Sequence, residues 1–257
     1  MADSRTRRRA QGEDRPAAAA RPVPAVAAIP GIAAAIICTA AAILCSAAAL
    51  AAAPVLPVSE FDARGLRDWS ARSFDGVTRY ALVDVAGERV LEARADDSAS
   101  GLYRELDVDL DRTPVLAWSW WVEAPVPVGD ARSKGGDDFA ARVYVVFSGG
   151  LAFWRTTTLV YVWADEDAPI GSWANPYTRQ AMMFAVSRGT PTQDWTEVRR
   201  NVADDYRKAF GRDAPAVVAV AVMSDTDQTG ARARARYRTL RFEALRPASA
   251  DDRATAR

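Results

Sequence analysis

Between residues 78 and 242 the chain is a succession of short β-branched and aromatic runs, each closed by a turn cluster, with almost no helical period among them. That pattern excludes any architecture built mainly from helices. The runs cover 78–85, 89–95, 102–110, 115–123, 141–147, 158–163, 181–187, 195–202, 216–223 and 232–242. Ala86-Gly87-Glu88 separates the first two as a compact hairpin turn. So many short strands in a segment of this length predict an all-β fold, an antiparallel two-sheet β-sandwich of jelly-roll or concanavalin-like form.

Side chains alternate across a strand, so strand faces follow from the sequence. Leu116, Trp118, Trp120 and Val122 share one face, and Ala117, Ser119 and Trp121 the other. Val143, Val145 and Phe147 likewise oppose Arg142, Tyr144 and Val146. The first set of each strand is expected in the core. Residues 217–223 are apolar without alternation, as a central strand covered on both faces would be. One short helix interrupts the pattern, with Asn201 as N-cap, Asp204 and Asp205 in its first turn, Tyr206 and Phe210 one turn apart, and Gly211 as its stop.

The formal charge of zero, from 33 basic and 33 acidic residues, averages two unlike pieces. Arg5, Arg7, Arg8, Arg9, Arg15 and Arg21 precede an uncharged stretch over 22–59, whose Ala-rich apolar core covers 31–53. This is the form of a secretory signal with an A-x-A-like end at Ala49-Leu50-Ala51, or of an uncleaved N-terminal membrane anchor. The expected organisation is a signal peptide or anchor over 1–53, a linker over 54–60, a β-sandwich domain over 61–246 and a disordered tail over 247–257. The expected location is periplasmic or otherwise extracytoplasmic, with membrane contact only through an uncleaved N-terminal segment. The remainder is mildly acidic, which argues against nucleic acid as a partner.

Composition narrows the chemistry further. The chain has no His, and its two cysteines, Cys38 and Cys45, lie in the export segment. Histidine-based triads, thiolate nucleophiles and Cys/His zinc sites are therefore excluded from the folded domain. Carboxylates, phenols, arginines and two lysines, Lys134 and Lys208, remain.

Four features carry candidate function, each with a plainer structural reading. Asp225-Thr-Asp-Gln-Thr-Gly230 follows a central strand, so Asp225, Asp227 and Gln228 form a candidate calcium shell or simply cap a tight turn. Calcium is the one cofactor this motif raises. Lys134-Gly-Gly-Asp-Asp138 supplies Lys134, Asp137 and Asp138 for an anion or sugar contact, or forms a solvated hairpin loop. Trp121, opposite in phase to its core neighbours, and Trp173 with Asn175, in the loop 164–178, are candidate sugar-stacking residues, although core filling accounts for most of the eight tryptophans. Arg232, Arg234, Arg236 and Arg238 alternate along one strand face, a stripe suited to carboxylates or phosphates but also to a solvated outer surface.

Several phrases occur together in an order that resembles a known family. They are Ser98-Ala-Ser-Gly-Leu102, Leu116-Ala-Trp-Ser-Trp-Trp-Val122, Lys134-Gly-Gly-Asp-Asp-Phe-Ala-Ala-Arg-Val-Tyr144, Tyr161-Val-Trp163, Asn201-Val-Ala-Asp-Asp-Tyr206 with Phe210-Gly211, and Asp225-Thr-Asp-Gln-Thr-Gly230. Over 61–242 the chain resembles the exported bacterial proteins catalogued as domain of unknown function 3047. The resemblance implies an envelope protein and transfers no catalytic residue.

The leading expectation is a non-catalytic envelope sandwich that binds a glycan or another extracellular ligand. The alternative is a polysaccharide-active enzyme, either a glycosidase using Asp137, Asp138, Asp225 or Asp227, or a lyase using Tyr144 or Tyr161 with Arg or Lys. Convergence of the Lys134 loop, the 164–178 loop and the Asp225 loop around exposed aromatics would mark a site.

Overall fold

The computed structural model describes residues 53–151, 155–191 and 193–245. The expected export segment, apart from Ala53, and the expected C-terminal tail lie outside the described residues. Among the described residues no helix is long and apolar enough to cross a membrane.

Among the described residues thirteen strands and two short α-helices follow one another. In chain order they are β1 (Val55–Pro57), α1 (Phe61–Arg64), β2 (Ser70–Asp75), β3 (Arg79–Val85), β4 (Glu88–Asp96), β5 (Ala99–Val108), β6 (Val115–Val122), β7 (Ala141–Phe147), β8 (Thr157–Ala164), β9 (Ser172–Asn175), β10 (Thr178–Arg188), β11 (Thr196–Asn201), α2 (Val202–Phe210), β12 (Val217–Asp225) and β13 (Arg232–Glu243). One sheet has the order β11-β6-β13-β4-β3, with β1 added beside the end of β13. The other has the order β2-β5-β12-β7-β8-β10-β9. The fold is a β-sandwich, as the alternating pattern predicts.

All ten sequence-predicted runs are strands. The three additional strands lack the apolar alternation that marks a half-buried strand: β2 is exposed along its whole length, β9 has four residues, and β1 lies in the stretch read as a linker. One pairing departs from the antiparallel rule. β10 runs parallel to β8 because the chain first passes outward through β9, which pairs antiparallel to β10, so β10 fills the gap between them. The β3–β4 turn places Ala86 at φ 51° and Gly87 at φ 84°. Two consecutive positive φ values fit the twist of a two-residue hairpin, and glycine meets the second without a Cβ penalty.

The core lies between the sheets. Leu91, Ala93, Trp118, Trp120, Val122 and Tyr237 from the first sheet meet Leu102, Val143, Val145, Phe147, Leu159, Tyr161, Trp163 and Val222 from the second. Tyr237 also joins the layers by polar contacts: its hydroxyl donates to the Met223 carbonyl (2.7 Å) and accepts from the Arg142 amide (3.2 Å). Helix α2 forms where its caps predict. The Asn201 side chain accepts from the Asp204 amide (3.2 Å), and Gly211 ends the helix in the left-handed region. The helix buries Tyr206 against Phe147, with ring centroids 4.5 Å apart, and Asp205 accepts from the core Tyr161 hydroxyl (3.0 Å).

The outer face of the first sheet carries the arginine stripe, and its charges are matched locally. Glu92, buried on that face, accepts from Arg94 (2.7 Å), Arg234 (2.8 Å) and Arg236 (3.0 Å), while Arg232 pairs with Asp96 (3.0 Å) and Arg238 with Glu88 (2.7 Å). Burial pushes the Glu92 carboxyl up, but the three guanidiniums outweigh it and hold the group at about 2, below its ordinary 4.5. A depressed folded pKa stabilises the fold above 4.5, and that contribution fades as pH falls toward 2. Glu92→Gln is expected to lose about 1–3 kcal/mol near neutrality. The gap from the parent should close as urea melts are taken to lower pH, and a gap independent of pH would refute the assignment.

Candidate functional site

Among the described residues no further sheet covers the second face of the β2–β9 sheet. A small apolar cluster of Ala131, Phe139, Val160, Val162, Trp173 and Met183 covers part of it. Beside that cluster lies a cavity of ≈ 470 Å³, lined by residues including Phe74, Tyr144, Asn175, Tyr177, Met223 and Asp227.

Its floor is organised by Arg142, the second residue of β7, which projects on the face opposite Val143. The guanidinium is buried and donates to both oxygens of Asp225, from Nε at 2.7 Å and from Nη2, and to Asp137 Oδ1 at 3.1 Å. It also lies over the Phe139 ring, 4.7 Å from the centroid. Asp225 reaches it from the end of β12, the strand next to β7, and Asp137 from the turn before β7. Burial pushes the Asp225 carboxyl up to about 7, with Arg142 pulling it down and Asp137 and Asp138 pushing it further up. Burial likewise raises the Tyr144 phenol, which stays protonated and donates to Met223 Sδ (3.3 Å).

Two loops complete the walls. The Lys134–Gly136 segment forms a 3₁₀ turn that packs on the chain itself: a Cβ at Gly136 would lie 2.2 Å from the Asp130 carbonyl oxygen, so only glycine fits there. The close approach at Gly136 is thus to the chain's own backbone at Asp130, and Gly135 stands open. From the β9–β10 turn, Asn175 donates to Asp137 Oδ2 (3.0 Å) and accepts from the Tyr177 amide (3.0 Å). Tyr177 is 55% exposed, with Lys134 Nζ 5.1 Å from its ring centroid. Phe74, on β2 at the opposite rim, is 64% exposed, and Arg72 lies over its ring.

The structure therefore gathers Asp137, Asn175, Asp225, Asp227 and Gln228 in the lining of one cavity, with Lys134 over the Tyr177 ring at its rim and Asp138 buried against the 228–229 loop, and leaves the two tryptophans out of the lining. Trp173 is buried beside the cavity, its indole donating to the Ala131 carbonyl (3.1 Å) and its ring packed near Phe139. Trp121 is on the outer face of the other sheet, where Arg236 stacks over it at 4.8 Å. Arg142, Tyr177 and Phe74, which the sequence does not single out as site residues, also line the cavity. In the sequence Arg142 reads as an ordinary polar-phase residue; its burial, and with it the need for the Asp225 counter-charge, shows only in the fold.

The calcium donor set can be checked atom by atom. Carboxylate oxygens of Asp138, Asp225 and Asp227 lie within 4.8 Å of one another. Both oxygens of Asp225 receive Arg142. Asp138 accepts from the Thr229 amide and hydroxyl (2.7 Å each) and from the Gln228 amide (3.3 Å), a long-range contact that ties the turn before β7 to the loop after β12. The Gln228 side-chain NH₂ is turned to Asp227. Asp227 Oδ1 is the buried carboxylate oxygen of this cluster without a hydrogen-bond partner. With both Asp225 oxygens taken by Arg142 and Asp138 taken by the Thr229 and Gln228 donors, too few free oxygens remain for the roughly six to eight that calcium takes, so these residues do not fit a calcium shell.

Fold and cavity together define a β-sandwich with an aromatic-rimmed, acid-lined hollow on the outer face of one sheet. Residues 67–241 match the family model described as Protein of unknown function (DUF3047), and the chain belongs to that family. No curated protein matches the sequence. Among solved structures, the chain is similar to the family 11 carbohydrate-binding module of the cellulosomal cellulase Lic26A-Cel5E of Clostridium thermocellum, at 10% identity over 76% of this chain and 96% of that one, with a TM-score of 0.44. It is also similar to the xyloglucanase domain of NopAA, a type three effector from Sinorhizobium fredii, at 11% identity over 69% and 94%, with a TM-score of 0.39. A variant of the Cel12A cellulase of Rhodothermus marinus is similar at 14% identity over 73% and 100%, with a TM-score of 0.35.

Proposed function

We propose that this protein is an exported envelope β-sandwich that binds a glycan in the cavity on the outer face of its β2–β9 sheet. The observation that carries the reading is convergence. Three segments distant in sequence, around Lys134–Gly136, Asn175–Tyr177 and Asp225–Gln228, meet at one hollow with Tyr177 and Phe74 exposed on its rim. Exposed rings that can stack on the C–H face of a sugar, beside amide and carboxylate groups for its hydroxyls, suit a carbohydrate better than an apolar ligand. Export is supported by the basic and then apolar N-terminal sequence.

Binding is favoured over turnover by the state of the acids. Glycoside hydrolysis needs two carboxyl groups free to face the scissile bond. Asp225 and Asp137 are instead committed to Arg142, and Asp138 to the Gln228 and Thr229 amides. Tyr161, one of the two phenols considered for a lyase, is fully buried between the sheets against Asp205.

The test is calorimetric titration of the folded domain with short neutral, amine-bearing and uronate oligosaccharides. The double change Phe74→Ala/Tyr177→Ala should weaken the best ligand by about tenfold or more, since each lost stacking contact is worth roughly 0.5–1.5 kcal/mol. Both side chains are exposed, so the melting temperature should stay near that of the parent. Absence of binding across the whole panel would overturn the proposal.

A further inference from the structure

We propose that a second hollow, on the outer face of the first sheet, binds a tetrahedral oxyanion, sulfate or phosphate, as the free ion or as an ester group on a larger molecule. The site is independent of the glycan cavity, which lies on the other sheet.

The hollow follows from side-chain size along three neighbouring strands. On the outer phase of β6, Ala117 lies between Arg199 of β11 and Arg241 of β13, and Ser119 between Glu197 and Arg238. Two small residues flanked by long ones leave a trough with β6 as its floor. A bulge shapes the β13 wall: Thr239 and Leu240 together stand opposite Trp118, with Thr239 exposed at φ 56° and Leu240 buried in the core. The bulge is pinned from behind, since the Leu240 carbonyl accepts from the Val58 and Ser59 amides (2.9 and 3.0 Å) and its amide donates to Ser59 Oγ (2.9 Å). The resulting volume is ≈ 100 Å³. That is about three times the share of one water and well below the roughly 300–1,000 Å³ of pockets that enclose drug-sized molecules, so only a small group can enter.

The polar groups that face this space are donors. The Ser119 hydroxyl points to a ligand most directly: the residue is 6% exposed, its side chain rises from the floor, and among the described residues nothing hydrogen-bonds to it. A buried hydroxyl without a partner is unfavourable, and an arriving acceptor removes that penalty. Arg241 gives only Nε to Glu243 (3.2 Å), and Arg238 only one Nη to Glu88 (2.7 Å), so both keep N–H groups for a ligand. The Arg238 guanidinium is also held over the Trp195 ring, 4.3 Å from its centroid.

Charge does not oppose an anion here. Arg199 and Arg241 share Glu243, Arg238 pairs with Glu88, and Glu197 is the acid in the lining. Three guanidiniums thus meet three carboxylates. Further along the same face Arg94, Arg234 and Arg236 share Glu92, with Glu123 3.8 Å from Arg234, so the surroundings are positive. With charge balanced at the hollow itself, donor geometry decides what fits. N–H groups from the walls and a hydroxyl from the floor approach from different directions, which suits an ion with acceptors on all sides better than a planar carboxylate.

The experiment titrates the protein by calorimetry at about pH 7 and low ionic strength with sodium sulfate, phosphate, formate and chloride, and with glucose 6-sulfate. Sulfate and phosphate are expected to saturate with a Kd of about millimolar or tighter, and formate and chloride to bind at least about tenfold more weakly. Tighter binding of glucose 6-sulfate than of sulfate would assign the site to an ester, and the reverse to the free ion. Arg241→Met should weaken sulfate by about tenfold or more, and Ser119→Ala by about three- to tenfold. Glu197→Gln should tighten it by about threefold, because it removes the acid from the lining. Ser119→Ala and Glu197→Gln leave the Glu243 pairs in place, so they decide the matter if Arg241→Met folds poorly. The Phe74→Ala/Tyr177→Ala protein should bind sulfate as the parent does, and weakening there would move the ion to the glycan cavity and overturn the proposal. Heats that do not saturate, equal affinity for formate or chloride, or sulfate affinity unchanged by both Ser119→Ala and Glu197→Gln would overturn it as well, while leaving glycan binding in place.

Discussion

Replacing Arg142 with methionine is expected to lower the stability of the domain by about 3–5 kcal/mol, the range for removing one partner from a buried ion pair. The side chain holds one cation among Asp225, Asp137 and Asp138, all buried, so its removal leaves carboxylates facing each other without compensation. The loss should depend on pH in a definite direction. Burial already raises the Asp225 carboxyl from 3.8 to about 7, so the folded state takes up a proton more readily than the unfolded chain. A raised acid pKa favours the fold at low pH, and that contribution is lost as pH rises through the folded value. Without the downward pull of Arg142 the carboxyl moves higher still. The variant should therefore be least stable relative to the parent at about pH 8 and recover part of the difference near pH 5, where protons substitute for the missing guanidinium. Arg142→Lys keeps a charge but loses the planar fork that spans two carboxylates, and should fall between the two. Urea melts at the two pH values decide the matter. A destabilisation of the same size at both would mean that Arg142 acts through packing on Phe139 rather than through charge.

The legibility of this molecule in its sequence follows from what periodicity can and cannot encode. Strand identity and core face were readable wherever one face is buried: Leu116, Trp118, Trp120 and Val122 share a phase in the sequence and a core in the structure. Where neither face is buried, as on β2, the phase carries no signal. The β8–β10 parallel pair was hidden for another reason, since pairing direction depends on how the connecting chain returns rather than on strand composition. Site legibility divides in the same way. Acid-rich turns mark themselves by composition, and Asp137, Asp138, Asp225 and Asp227 were visible. Their meaning was not, because the counter-charge sits on a different strand, and a single arginine amid apolar residues looks like an ordinary polar phase. Tryptophan abundance pointed the wrong way for Trp173: its loop position suggested exposure, whereas the local turn folds it beneath the Ala131 carbonyl.

Trp120→Ala should produce a loss comparable to that at Arg142 but of a different kind. The side chain is fully buried between the sheets, packs edge-on against Trp118 with centroids 5.3 Å apart, and lies 5.8 Å from Trp163. Its indole donates to Ser187 Oγ (3.0 Å), tying β6 of one sheet to β10 of the other. Truncation removes the largest class of apolar side chain and leaves a void that rigid neighbouring strands cannot close, which costs about 3–5 kcal/mol. Trp120→Phe keeps most of the volume but loses the donor, and should cost about 1–3 kcal/mol. No titrating group is involved, so this loss should be nearly constant between about pH 5 and pH 8, unlike the Arg142 effect. Ligand affinity separates the two positions again. Trp120 faces the inter-sheet core, whereas the cavity is on the far face of the second sheet, so the alanine variant should bind sugar with parental affinity at temperatures where it stays folded. Loss of affinity without unfolding would show instead that inter-sheet packing sets the spacing of β7, β8 and β10, and with it the width of the hollow.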